Sequence, residues 1–194
     1  MSKVLAEEAL GDNNPGGYER SDAMLSKKMQ EALNDQMKWE FYSAFLYLAM
    51  AGYFLSKNLD GFANWMQVQM QEETAHAMMF FKYIDEAGGR PDVRAFDQME
   101  NEYKSVTDVF KATVEHEKLV TKRINDLMDL AVKEKDHATA QFLAWFVKEQ
   151  VEEVAEPTKI LEQLKLTKEQ GNALMMLDRE LGQRVFNPPA AAAE

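Results

Sequence analysis

The sequence contains no cysteine. This absence excludes disulfide bonds, iron–sulfur clusters, thiolate zinc sites and cysteine nucleophiles. Long hydrophobic runs are also absent: no stretch approaches the roughly 20 consecutive apolar residues of a membrane span, and the N-terminus lacks a basic region followed by an apolar run. We therefore expect a cytoplasmic protein with no membrane partner.

Positive charge is the scarcer sign, with 22 basic residues against 33 acidic residues and a formal net charge of -11. This balance disfavours nonspecific binding to nucleic acid and attracts cations. Nucleotide-binding glycine motifs, the serine elbow of hydrolases and the H-E-x-x-H motif of metalloproteases are missing. A length of 194 residues, 46% of them hydrophobic, suits one well-packed domain.

Apolar residues recur at steps of three and four along four long segments, which predicts four amphipathic helices, A to D. Helix A is expected from a cap at Ser21 or Asp22 to about residue 57. The others are expected over about 60–87, 105–135 and 136–164. A fifth amphipathic segment, 167–185, exceeds what one bundle requires and indicates assembly.

Glycine and proline positions refine this outline. Gly88 and Gly89 are expected to end helix B in left-handed conformations, and Pro157 should bend helix D unless the helix accommodates it. Composition separates one domain, 22–186, from a flexible N-terminal arm, 1–21, and a disordered tail, 187–194.

The connection between helices B and C, about 88–104, is much longer than the other helix connections. Helix B is about 40 Å long at about 1.5 Å per residue, whereas the extended connection can reach over about 55 Å. The connection can therefore run the whole length of the bundle. This predicts antiparallel A/B and C/D hairpins joined by one long crossover, with B and C parallel.

Each of the four stripes carries an acidic residue where an apolar residue is expected: Glu40, Glu73, Glu117 and Glu153. His76 follows Glu73 by one helical turn on the same face. An unpaired ionised carboxylate in an apolar interior is costly, so the pattern indicates a bound cation. Carboxylates with a single imidazole suit iron or manganese.

Two adjacent metal sites are expected, as in di-metal carboxylate bundles. Glu40, Glu73 and His76 would form a tight first site, and Glu73, Glu117 and Glu153 a looser second site. Helix D departs from the usual pattern, since Glu153 takes the place of a second histidine. A neutral amide, Gln150, likewise stands where a bridging carboxylate is usual. A weakened second site suits iron that must leave.

Neighbouring residues have more than one interpretation. Glu72, Glu149 and Glu152 would either form a third cation site or be solvated. Tyr47 and Trp145 would either donate electrons or hydrogen-bond a ligand carboxylate, or would simply be core aromatics with a satisfied polar tip.

Four blocks of sequence carry a resemblance to a known family. They are 33–43 (LNDQMKWEFYS), 71–76 (QEETAH), 116–118 (HEK) and 142–153 (FLAWFVKEQVEE). Over about residues 24–185 the chain closely resembles the bacterial non-haem ferritins. The resemblance implies an all-α, ferritin-like four-helix bundle with a long B–C crossover and a short fifth helix at the C-terminus.

The resemblance also implies function. It implies a ferroxidase in which Glu40, Glu73 and His76 bind the first iron and Glu73, Glu117 and Glu153 the second. Gln150 would lie nearby, and Glu72, Glu149 and Glu152 would bind a third iron. It further implies oxidation of Fe(II) by O2 or H2O2, and storage of the ferric oxide inside a homo-oligomeric shell of 24 subunits.

Related families fit less well. Bacterioferritins carry a haem-ligating methionine where this chain has Thr74 and Ala75, so no haem is expected. Rubrerythrin-like peroxidases usually carry cysteine-ligated iron, and DNA-protecting mini-ferritins lack a comparable fifth helix. The alternatives that remain are a di-iron oxidoreductase or peroxidase without mineral storage, and a helical module in which the acidic residues are solvated.

Overall fold

A computed structural model describes residues 24–189, and within that range the chain forms five α-helices and no strands. They are α1 (Lys27–Ser56), α2 (Asp60–Glu86), α3 (Val106–Glu134), α4 (His137–Thr167) and α5 (Gly171–Leu181). The predicted all-α class is confirmed for these residues. The predicted arm, 1–21, and the last part of the predicted tail, 190–194, lie outside the described residues.

Side-chain caps fix where three of the helices begin. Ser26, Ser105 and Asp136 each accept a hydrogen bond from the backbone N–H three residues later, at 3.0–3.1 Å. The predicted cap of the first helix, at Ser21 or Asp22, is therefore wrong: α1 begins five residues or so later, where Ser26 binds the N–H of Met29.

The helix ends also differ in detail from the prediction. Gly88 adopts a left-handed conformation with φ 81°, whereas Gly89 does not. A Cβ at Gly89 would lie 2.8 Å from Gln30 Oε1, so that glycine permits a close approach. The fifth helix is shorter than expected, because α4 continues through the buried Pro157 and ends only at the left-handed residues Lys168 and Glu169.

Two apolar clusters define the topology. One joins the C-terminal half of α1 to the N-terminal halves of α2 and α3 and the C-terminal end of α4. The other joins the opposite halves of the same helices. Thus α1/α2 and α3/α4 are antiparallel pairs, α2 and α3 run parallel, and the non-helical connection 87–105 spans the bundle. Between the clusters lies a band of buried polar residues.

The fifth helix is locked onto the start of α2. The N-cap residue of α2, Leu59, offers no side-chain acceptor, and Asp178 of α5 supplies one instead. Its Oδ1 accepts from the N–H groups of Gly61 and Phe62 at 2.9 and 3.0 Å. A Cβ at Gly61 would lie 1.6 Å from the carbonyl oxygen of Asp178, so only glycine permits this approach.

Replacing Asp178 with alanine should lower the free energy of unfolding by about 1–2 kcal/mol, since α2 loses its cap and two buried N–H groups lose their acceptor. Asp178→Asn keeps an acceptor oxygen and should lose less. Urea denaturation of both variants measures the difference. Equal losses would show that the negative charge, rather than the acceptor, stabilises this junction.

Within residues 24–189, no helix is long and apolar enough to cross a bilayer.

Candidate metal centre

The polar band between the two apolar clusters draws side chains from α1, α2, α3 and α4. Ten polar or charged residues of this band are less than a tenth exposed: Gln36, Glu40, Ser43, Gln69, Glu73, His76, His116, Glu117, Gln150 and Glu153. All five residues predicted to form the two metal sites are among them.

Glu40, Glu73 and His76 come together as predicted. Ligand atoms from the three side chains all lie within 4.8 Å of one another. The Nδ1 atom of His76 is 3.5 Å from Glu73 Oε2, and both side chains are essentially inaccessible. Glu40 joins from the adjacent helix α1. One cation between them can therefore contact all three.

A second group shares one residue with the first. Glu73, Glu117 and Glu153 also offer ligand atoms within 4.8 Å of one another. Because Glu73 belongs to both groups, its two oxygens can face two different cations. The geometry therefore allows a pair of neighbouring metal ions bridged by Glu73.

Many of these ligand atoms have no hydrogen-bond partner. The unpaired buried atoms include both oxygens of Glu73, both ring nitrogens of His76, Glu40 Oε2 and Glu117 Oε2. Buried polar atoms are nearly always hydrogen-bonded, so such a concentration of exceptions requires an explanation. Cations placed between these atoms would satisfy them, and the donor set of oxygens with one imidazole fits iron.

Burial and mutual repulsion shift the titration of the carboxyl groups. Burial, followed by the charge of Glu40, raises the pKa of Glu73 well above its ordinary value. Burial, followed by the charge of Glu73, does the same to the pKa of Glu117. Burial raises the pKa of Glu153 to about 7. Without a cation the cluster therefore holds protons that binding of a metal would release.

Two glutamines orient the carboxylates. The Nε2 of Gln36 donates to Glu40 Oε1 at 2.7 Å, and that of Gln69 donates to Glu153 Oε2 at 2.8 Å. Arg123 donates to the oxygen of Gln36, which turns the amide N–H toward Glu40. The helical pattern placed both glutamines on buried faces, but it gave no means of identifying their partners.

Tyr47 and His116 support the centre from α1 and α3. The hydroxyl of Tyr47 donates to Glu117 Oε1. Burial, followed by the charge of Glu117, raises the pKa of Tyr47 well above its ordinary value, so the hydroxyl stays a donor. His116 Nε2 is hydrogen-bonded to Ser43 Oγ at 2.7 Å, and burial lowers its pKa to about 4. Sequence analysis assigned no role to His116.

Comparison with known proteins gives the family. The model of the ferritin-like domain matches residues 30–167. The chain belongs to the ferritin family. The bacterial non-heme ferritin of Staphylococcus aureus strain MRSA252 is 38% identical over 164 residues, covering 84% of this chain and 99% of that protein. An open pore ferritin from Archaeoglobus fulgidus, known from crystal structures, is 50% identical in sequence to this chain. The two structures align with a TM-score of 0.83 over 84% of this chain and 99% of the other.

The resemblance inferred from the four sequence blocks is thus confirmed. In this ferritin, Gln150 lies beside the paired groups, only 4% exposed, and its Oε1 accepts from Thr121 Oγ1 at 2.9 Å. The ring of Trp145 contacts that of His76 edge-on, with centroids 5.4 Å apart. Trp145 therefore contacts a predicted ligand directly, and Gln150 contacts Thr121, whose hydroxyl also donates to the carbonyl oxygen of Glu117.

The outer carboxylates of this ferritin are arranged differently from the expected trio. Glu72 is ion-paired with Arg184 at 2.8 Å, and Glu152 is exposed. Within the part of the chain that the structure describes, Glu149 joins His76 and Glu153 in a third possible ligand group, and Glu72 and Glu152 join none. A third site at Glu72, Glu149 and Glu152 stays a prediction, and in this structure Arg184 already binds Glu72 Oε2.

Proposed function

We propose that this protein is an iron-storage ferritin with ferroxidase activity. It oxidises Fe(II) to Fe(III) with O2 or H2O2 at the paired centre and stores the ferric oxide in a hollow shell of 24 subunits in the cytoplasm. The observation that carries the proposal is the set of unpaired, fully buried ligand atoms shared by Glu40, Glu73, His76 and Glu117. Family membership supports the same conclusion.

Fe(II) is the substrate of this centre. Glu40, Glu73 and His76 hold one ion, and Glu73, Glu117 and Glu153 hold the other. Two Fe(II) ions and two protons reduce one molecule of H2O2 to two molecules of water. With O2 as oxidant, the first pair of Fe(II) ions and two protons give H2O2, which a second pair reduces to water in the same way. Anionic oxygen ligands stabilise Fe(III) more than Fe(II), so the carboxylates favour loss of the electron.

The surrounding residues tune the two positions. The Tyr47 hydroxyl fixes one oxygen of Glu117 and leaves the other free for metal. Gln150 carries no charge, so the second position binds Fe(III) less tightly than it would with a carboxylate in place of this amide. The product can therefore leave toward Glu72, Glu149 and Glu152, which would bind a third iron. No haem is needed for this sequence of steps.

Iron loading tests the proposal. Fe(II) is added aerobically to the apoprotein, the ferric absorbance is followed, and the product is separated by size exclusion. We expect rapid oxidation, with the iron co-eluting with a particle of about half a megadalton, as for 24 chains of 22.2 kDa each. A small oligomer that binds two or three irons per chain while the rest precipitates would refute storage and favour a di-iron oxidoreductase.

A further inference from the structure

The segment after α5 places a positive charge on one of the outer carboxylates. The guanidinium of Arg184 donates to Glu72 Oε2 at 2.8 Å and lies 3.4 Å from Glu156 Oε2. The Arg184 and Glu72 side chains are only 20% and 19% exposed. Glu72 precedes Glu73, the residue shared by the two metal positions. An arginine therefore lies immediately beside the proposed iron centre.

Several contacts hold Arg184 in this place. Its guanidinium stacks on Trp65, 4.7 Å from the ring centroid. Its carbonyl oxygen accepts from Asn64 Nδ2 at 3.0 Å, and the same amide donates to the carbonyl of Leu181 at 3.2 Å. Such stacked, planar contacts are specific to arginine. The position of the guanidinium thus depends on one face of α2, not on an accidental surface pairing.

Arg184 and a metal ion at the outer position would both draw on the negative charge of Glu72. The oxygen that accepts from Arg184 is occupied, and a metal ion beside a guanidinium would meet like charge. Glu149, which would share a third metal with Glu72, is close enough for the two charges to repel. The arginine therefore stabilises this group of carboxylates when no metal is bound there.

We propose that Arg184 competes with the outer metal ion for Glu72, so that the ion binds there more weakly while the guanidinium is in place. This inference rests on the proposed function, since it assigns a control element to the path by which iron leaves the paired centre. Competition lowers the affinity of the outer position, so a metal ion binds there only transiently. Because the two equilibria are linked, a metal ion bound at Glu72 also weakens the contacts by which Arg184 holds residues 182–189 against α2.

Calorimetric titration of the full-length apoprotein with Co²⁺, a non-oxidising stand-in for Fe(II), tests the competition. Arg184→Ala should tighten the weakest class of Co²⁺ sites by about two- to fivefold, the range expected for a partly exposed ion pair. The matched control is Arg179→Ala, which removes the same charge from an exposed position of α5. It should leave all classes unchanged.

A double variant separates competition from anchoring. In an E72Q background the Arg184→Ala change should no longer affect Co²⁺ affinity, because the carboxylate that both cations share is gone. If Arg184 only anchors the C-terminal segment, Arg184→Ala lowers the melting temperature in both backgrounds and leaves Co²⁺ affinity unchanged. That result would overturn the proposal, as would the absence of a weak class in both the parent and Arg184→Ala proteins.

The same titration separates failure of the proposed ferroxidase centre from failure of the competition. A parent protein that lacks the two tight classes of Co²⁺ sites would refute the proposed ferroxidase centre itself. If the tight Co²⁺ sites are present but the affinity of the weak sites does not change in Arg184→Ala, only the competition is refuted.

Discussion

Replacing Glu73 with glutamine is expected to abolish fast Fe(II) oxidation and, at the same time, to stabilise the apoprotein. Glu73 is fully buried, neither of its oxygens has a hydrogen-bond partner, and it belongs to both metal groups. Losing a residue that supports a metal ligand costs about 10–100-fold, so loss of a shared ligand should slow oxidation by more than about 100-fold. The stabilising effect has a separate cause.

The stabilisation follows from the raised pKa of Glu73. Above that pKa the native state must hold an ionised carboxylate without a partner, whereas the amide carries no charge at any pH. We expect Glu73→Gln to raise the free energy of unfolding by about 1–3 kcal/mol at alkaline pH. The gain should largely vanish at pH 5, where the buried carboxyl of the parent protein is already neutral.

Rapid-mixing absorbance measures the first effect and urea denaturation of metal-free protein the second. Glu86→Gln is the matched control, because it makes the same chemical change at an exposed position of the same helix. A Glu73→Gln protein that oxidises iron at the parent rate would remove the paired centre from the mechanism. One that is less stable than its parent at alkaline pH would contradict the burial argument.

The helical pattern was sufficient to predict most of the fold. Four stripes at a period near 3.6 identified the four long helices, and the length of the connection between the second and third helices predicted a crossover. The acidic residues on the apolar stripes were informative because burying a carboxylate costs free energy. A carboxylate on each of four stripes therefore indicates a compensating interaction, such as a bound cation. The candidate metal residues could therefore be named before their distances were known.

Other features depend on contacts that the local pattern does not contain. Ser26 and Ser21 are equally good caps by residue type, and only the position of α1 on the bundle distinguishes them. Arg184 is 112 residues from Glu72, and nothing near either residue indicates their pairing. Gln36 lies on the predicted buried face, yet its orientation depends on Arg123 of another helix. Tertiary contacts of this kind determine how the side chains around the centre are oriented.

The stability of the metal-free protein should fall as the pH rises through neutrality. A carboxyl whose pKa is raised by folding binds protons more tightly in the native state, so its contribution is complete below the unfolded pKa of 4.5 and is lost as the pH rises through the folded pKa. For Glu153, whose folded pKa is about 7, this amounts to about 3 kcal/mol. The pKa values of Glu73 and Glu117 are also raised, so both residues contribute a loss of the same sign.

His116 acts in the opposite direction but at lower pH. Its pKa is lowered by burial to about 4 from 6.5, so unfolding takes up a proton there and stability is lost as the pH falls below 6.5. His116 contributes only half of its full slope at pH 6.5, and its contribution fades about one pH unit higher. From pH 6.5 to 8 the carboxyl cluster therefore outweighs His116, and the urea midpoint of the apoprotein should decrease across this interval.

Bound metal should reverse this slope. A cation binds the ionised carboxylates, so its affinity rises as protons leave, and saturating Co²⁺ should stabilise the protein increasingly from pH 6.5 to 8. Midpoints are measured at one protein concentration with and without Co²⁺. Glu153→Gln should flatten the apoprotein slope and Glu86→Gln should not. Apoprotein stability that rises over this interval would mean that the carboxyls are paired within the folded chain, and the case for a cation at their centre would fail.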